Sequence, residues 1–164
     1  MAAAAVVVGV ALIALDGGGP DPVGLPPIEE TKLARAARAA GCALRREQPG
    51  ERLNPPVSGA VGTPAKAGIY DDAPHVSSLV AALRRGVIVI HVRGDVDDGR
   101  FEELRSIQAA APNGTIVTPN ETGMPYEFGV TAYRRLLACG RLTDASVDAL
   151  LLFRGRYLGS GPDA

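Results

Sequence analysis

Few side chains in this sequence could carry chemistry, and their spacing narrows what that chemistry is. Among 164 residues there are two histidines, His75 and His91, and two cysteines, Cys42 and Cys139. A zinc site draws three or four ligands from Cys, His and acidic side chains at short, regular spacings. Neither cysteine has a Cys-x-x-Cys partner and no third ligand stands near a histidine, so no metal or cofactor is expected. The elbow that exposes a nucleophilic serine is missing as well, which leaves no residue to assign as catalytic. Asp95, Asp97, Asp98 and Gly99 hint at a calcium loop. Ser106 occupies its twelfth position, where an EF-hand needs a bidentate Glu, and this rules the loop out.

The remaining candidates are Arg84, Arg85 and His91. The two arginines close a helix, where cations interact favourably with the last carbonyls. They suit an anion or an acidic partner beside the following strand, with His91 as a further contact. The competing explanation is solvation, or surface pairing with Asp71, Asp72 or Glu127, which is common and of small energy. By the two-residue period of a strand, His91 shares a face with Val87 and Val89 and reads first as a packed histidine. Arg93-Gly94-Asp95 spells a cell-adhesion tripeptide, but a turn and a helix cap explain it. Asn113-Gly114-Thr115 and Asn120-Glu121-Thr122 fit a glycosylation pattern that often arises by chance.

The elements that must position these residues centre on Ser77 to Val92. Ser77 or Ser78 can cap a short helix, and Gly86 supplies its left-handed stop. Val87-Ile88-Val89-Ile90 is a continuous β-branched run, as expected of a strand covered on both faces. Asp97 or Asp98 then caps a helix carrying Phe101, Leu104 and Ile107, which ends near Pro112-Asn113-Gly114. Thr115 to Thr118 is a short strand and Pro119 to Pro125 a loop. Glu127 to Tyr133 fits a further strand and Arg134 to Cys139 a helix. Thr143 or Asp144 caps a last helix with Val147, Leu150, Leu151 and Tyr157 as its apolar set.

Upstream, Pro26 and Pro27 precede a helix from Ile28 to Gly41. Glu29 and Glu30 lie in its first turn and Arg35 and Arg38 toward its end, the order the helix dipole favours. Residues 43–76, broken by Pro49, Pro55, Pro56, Pro64 and Pro74, read as one long irregular region. The strand–helix–strand unit implies a right-handed crossover and a parallel pair, after which the next strand returns antiparallel. The expectation is a single α+β domain over 28–164, with a central mixed sheet packed by helices. Its later part suits a thioredoxin-like strand order, but without a Cys-x-x-Cys no redox chemistry attaches to that order.

A net charge of −1 with no basic block argues against nucleic acid or acidic lipid as a partner. Low aromatic content without Trp argues against a stacking platform for bases. Residues 1–15 contain the run AAAAVVVGVALIAL, shorter than the roughly 20 residues that span a bilayer and lacking a signal peptide's basic flank. The Gly/Pro-rich stretch 16–27 separates this run from the domain. An export segment or truncated membrane anchor therefore fits it better than a buried helix or strand does. An initiator further upstream would complete the run and its flank. The cysteines are two buried thiols in a reducing compartment or one disulfide in an oxidising one. As a disulfide closing a loop of about 100 residues they would add roughly 4–5 kcal/mol.

Several segments together resemble the bacterial domain of unknown function family 3105, across residues 39–162. They are Ala40-Gly41-Cys42, Asn54-Pro55-Pro56-Val57-Ser58-Gly59, Gly68-Ile69-Tyr70, Leu79 to Gly86 with its strand, Thr118-Pro119-Asn120 and Met124-Pro125. Val130 to Cys139 is the most specific, with Tyr133 where the family usually has Trp; Phe153 to Tyr157 and Gly161-Pro162 close the match. That family typically reads Val-His-x-Leu-Glu-His-Gly on the helix before the strand. Ala81, Arg84 and Arg85 stand at its His, Glu and second His, and Val61 replaces a further histidine. Two histidines one turn apart share a helix face and suit a metal or a proton, so the resemblance implies that any such site is lost here.

The resemblance also implies a Cys42–Cys139 disulfide and an extracytoplasmic, membrane-anchored or secreted domain. The first expectation for function is a non-catalytic accessory or interaction module, tethered through its N-terminal segment and serving an unidentified protein partner. The alternative is a small-molecule or anion binder using Arg84, Arg85 and His91. An enzyme or metal protein would need ligands that the sequence does not offer.

Overall fold

The computed structural model describes residues 27–94 and 96–164. The expected export segment and linker therefore lie outside the described residues, except Pro27, which opens the first helix. In chain order the elements are α1 (Pro27–Ala39), β1 (Cys42–Arg46), β2 (Gly68–Ile69), α2 (Val76–Arg84) and β3 (Ile88–Val92). They continue with α3 (Asp98–Ala109), β4 (Thr115–Pro119), β5 (Phe128–Ala132), β6 (Arg135–Cys139) and α4 (Asp144–Tyr157).

The strands form one mixed sheet in the order β1-β6-β5-β3-β4-β2. β4 pairs parallel with both β3 and β2, whereas the β3–β5, β5–β6 and β6–β1 pairs are antiparallel. This is the expected α+β class. The run β6-β5-β3-β4, with β5 antiparallel to both its neighbours, has the thioredoxin-like order expected of the later part of the chain.

Alternate strand residues face opposite sides of the sheet. On one side Ile88, Ile90, Phe128, Val130 and Leu137 join one core with Leu33 of α1, Leu104 of α3, and Leu150 and Phe153 of α4. On the other, Val89 and Ile116 pack with Leu79, Ala82 and Leu83 of α2. Beside them Leu53 and Val57, from the loop after β1, pack with Leu136. Full burial of such a side chain is worth about 1.5–3 kcal/mol, so the first side carries most of the apolar stabilisation.

Several local signals act as expected. Gly86 ends α2 at φ +79°, and a Cβ there would also meet the Gly159 backbone at 2.5 Å, so two constraints demand glycine. Asp97 caps α3 by accepting from the Arg100 N–H at 3.1 Å. Thr143 and Ser146 form a reciprocal capping box on α4.

Other expectations are corrected. The cap of α2 is His75, whose ring accepts from the Ser77 N–H, and neither Ser77 nor Ser78 holds that position. Residues 43–76 are not wholly irregular, because they contain most of β1 and all of β2. Arg134 to Cys139 is strand and turn where helix was expected. Arg135-Leu136-Leu137-Ala138-Cys139 has good helix formers, yet pairing on both sides with β1 and β5 outweighs that preference. On α4, Leu151 is 39 % exposed and Phe153 takes the core position one step round the helix. Cys42 and Cys139 sit opposite each other across the β1–β6 pair and are bonded, with an S–S distance of 2.03 Å, as the resemblance implied.

Candidate functional site

The carboxyl ends of the parallel strands β3 and β4 open into a cleft of about 390 Å³ beside the start of α2. Open sheets with parallel strands bind ligands at that end, and ligand clefts run from about 300 Å³ upward. Its walls are mostly apolar, from Pro56, Pro74, Val76, Leu79 and Pro119. His75, His91, Asn120, Glu121 and Thr122 supply its polar groups.

His91 forms the innermost polar part of the wall. It is 3 % exposed, and its Nε2 lies 3.2 Å from the Thr131 hydroxyl on the neighbouring strand. That hydroxyl is itself 3.3 Å from the Val89 carbonyl, to which it donates. Burial pushes the His91 pKa down to about 3, so the ring is neutral at ordinary pH. Gly129 faces His91 across the β3–β5 pair, and a Cβ there would meet Tyr126 Cε2 at 3.1 Å and Pro55 Cδ at 3.3 Å. Glycine thus lets Tyr126 and Pro55 close against the sheet next to His91.

The rim is held by hydrogen bonds between distant loops. The Asn54 amide donates to the Thr122 carbonyl at 3.0 Å, and the Thr122 hydroxyl donates to Asn54 Oδ1. Asn120 Oδ1 accepts from the N–H groups of Thr122 and Met124 at 3.1 and 3.2 Å. Such Asx turns arrest the chain locally, so the Asn120-Glu121-Thr122 pattern has a structural use here. His75 Nδ1 lies 2.8 Å from the Ser77 hydroxyl and accepts from the Ser77 N–H at 3.3 Å.

Of the three residues expected to bind a ligand, Arg84, Arg85 and His91, only His91 lies in this cleft. Arg84 stands at the far end of α2 and forms a bidentate pair with Asp163, at 2.7 and 2.8 Å. It also lies 5.6 Å from the Tyr133 ring centroid. Its bond to Asp163 raises the Arg84 pKa and lowers that of Asp163, so each holds the other charged. The partner is therefore Asp163, and not Asp71, Asp72 or Glu127. Arg85 is exposed and borders a separate groove with Pro112, Asn113 and Leu158. The anion site imagined from Arg84, Arg85 and His91 is thus divided between two ends of one helix.

Ala81 is 3 % exposed and lies one turn from both Ser77 and Arg85 on α2. The neighbour of Val61, Gly62, donates its N–H to the Ser77 carbonyl at 3.0 Å. The positions where the resemblance expects histidines therefore lie along or beside one side of α2. Among the described residues, no three His, Cys, Asp or Glu side chains gather closely enough to hold a metal. None of these helices is long and apolar enough to cross a membrane.

Sequence reasoning missed His75 and Thr122 as parts of the cleft, and Asn54 as the residue that ties Thr122 in place. The Pro-rich segments that carry the resemblance, Asn54 to Gly59 and Thr118-Pro119-Asn120, were the available signal, since both end up on its rim. No curated protein and no solved structure matches the chain. A family model described as a protein of unknown function, DUF3105, matches residues 52–155. That span is narrower than the resemblance and starts after Cys42, but it includes the whole cleft and α2. The chain accordingly belongs to the DUF3105 family of proteins of unknown function.

Proposed function

We propose that this protein is an exported accessory domain that binds a small molecule in the cleft beside His91 and leaves it chemically unchanged. The observation that carries the reading is His91 itself, a buried polar side chain on the wall of a mostly apolar cleft. Thr131 meets one ring nitrogen, and the other is left for a ligand to meet. Export is supported by the Cys42–Cys139 bond, because disulfides persist mainly in oxidising compartments. The apolar run in residues 1–15 would then direct or tether the domain, bringing it to a protein partner at the membrane.

A fragment screen by NMR on the whole chain tests the binding reading. Shifts should cluster at His91, Leu79 and Val76 and vanish in Ala73→Trp, which fills the cleft mouth. If no fragment perturbs these residues, the proposal falls. Bound compounds should also be recovered intact, and their turnover would overturn the non-catalytic part. Thiol labelling of protein taken from its native envelope should find no free cysteine; reactive Cys42 and Cys139 would remove the support for export.

A further inference from the structure

The hydrogen bonds around His91 define what kind of ligand the cleft accepts. The Thr131 hydroxyl has one proton and donates it to the Val89 carbonyl at 3.3 Å. His91 Nε2 lies 3.2 Å from the same hydroxyl, and both contacts are hydrogen bonds at once only when Thr131 accepts from the ring, so we assign the ring proton to Nε2. Nδ1 is left as a lone pair. Among the described residues the one side-chain hydrogen bond of His91 is made through Nε2, and the residue lines the cleft.

We infer that the cleft selects an uncharged, largely apolar molecule that donates one hydrogen bond, from a hydroxyl or an amide N–H, to Nδ1 of His91. The inference rests on the cleft being a ligand site. An anionic ligand would bring its lone pairs against that of Nδ1. Protonating the ring to meet an anion is opposed by burial, which holds the pKa near 3. No Lys or Arg is among the described residues that line the cleft. An ammonium group fits poorly too, since its three donors would face one buried acceptor. Glu121 is exposed and screened by solvent, and the start of α2 presents the positive end of a helix dipole. The prolines, Val76 and Leu79 suit an apolar body, and about 390 Å³ is small for a ligand cleft.

Four probes that share one ring test this on the whole chain: p-cresol, 4-methylanisole, p-toluate and 4-methylbenzylammonium. NMR titration should show p-cresol binding roughly 2- to 10-fold tighter than 4-methylanisole, the worth of one net hydrogen bond. It should move the His91 Nδ1 resonance, with p-toluate and the ammonium weaker still. His91→Phe should abolish the preference for p-cresol over its methyl ether. Should that variant not fold, the Nδ1 resonance of the native protein decides. Equal binding of cresol and ether, or preference for a charged probe, with shifts at Leu79 and Val76, overturns the ligand class and leaves the cleft reading standing. Silence of the cleft toward all four overturns both.

Discussion

The two sides of the sheet are built differently. One is closed by three helices, with Leu33, Leu104, Leu150 and Phe153 buried against strand residues that are themselves fully covered. The other has one helix, α2, and completes its cover with Pro-rich loops that carry Leu53, Val57 and Pro56. Helices present regular apolar stripes that interdigitate at near-crystalline density. Proline-bearing loops cannot continue a regular stripe, and where they meet α2 and the ends of β3 and β4 they leave the cleft. The larger apolar core is thus on one side, while His91 and the cleft it lines are on the other.

This contrast can be broken most forcefully at Phe153. Phe153→Ala should cost about 3–5 kcal/mol in urea unfolding, because that side cannot relax around the void. Leu79→Ala, on the open side, should cost about 2 kcal/mol, at the low end for such a truncation, since its cavity merges with a cleft already open to water. Equal losses at the two sites would erase the distinction.

Removing the disulfide comes next. The double variant Cys42→Ala/Cys139→Ala should lose roughly 2–5 kcal/mol, because the bond closes a separation of 97 residues. The loss should appear as faster hydrogen exchange in β1 and β6 with little change around His91.

Acid should act on the open side. The unfolded chain takes up the His91 proton near pH 6.5, whereas the folded protein does so only near 3. Between those values the unfolded state binds more protons, so stability falls as the pH drops, by at most about 1.4 kcal/mol per unit. Above 6.5 the contribution is constant. Urea titrations at pH 7, 5 and 4 should show this slope, and His91→Phe should flatten it. An unchanged slope in the variant would show that other groups govern acid sensitivity.

The smallest effect is expected at Arg84, whose pair with Asp163 is largely exposed. Arg84→Ala should leave the unfolding midpoint nearly unchanged and speed exchange of the Asp163 N–H, which donates to the Arg84 carbonyl at 2.8 Å. A large drop in stability would mean that this contact matters more than an exposed ion pair should.

How far the molecule was legible in its sequence depended on the range of the causes. Five features were readable from neighbouring residues: α2 with its Gly86 stop, the β-branched run of β3, the Asp97 cap of α3, the strand β4 and the Thr143 cap of α4. Each rests on capping, backbone freedom or periodicity within about a turn, all local properties. The β5–β6 hairpin was not readable. Its two-residue turn, Tyr133-Arg134, places Arg134 at φ +59° without the Gly or Asn that marks such turns. Contacts far along the chain hold it there. The Arg134 N–H donates to the Val57 carbonyl at 3.1 Å, and Arg134 Nε lies 3.5 Å from buried Glu47.

The candidate site divides the same way. Sequence alone determined that His91 lies on a strand face, which face it shares with Val89, and that the chain lacks the ligand spacings of a metal centre. Only the tertiary structure decided that Thr131 meets one ring nitrogen, that Pro56, Leu79 and Pro119 line the same cleft as His91, and that Arg84 pairs with Asp163. Periodicity specifies which way a side chain points relative to its own element. What it points at depends on pairings across 40 to 79 residues, which packing of the whole chain selects and no local preference encodes.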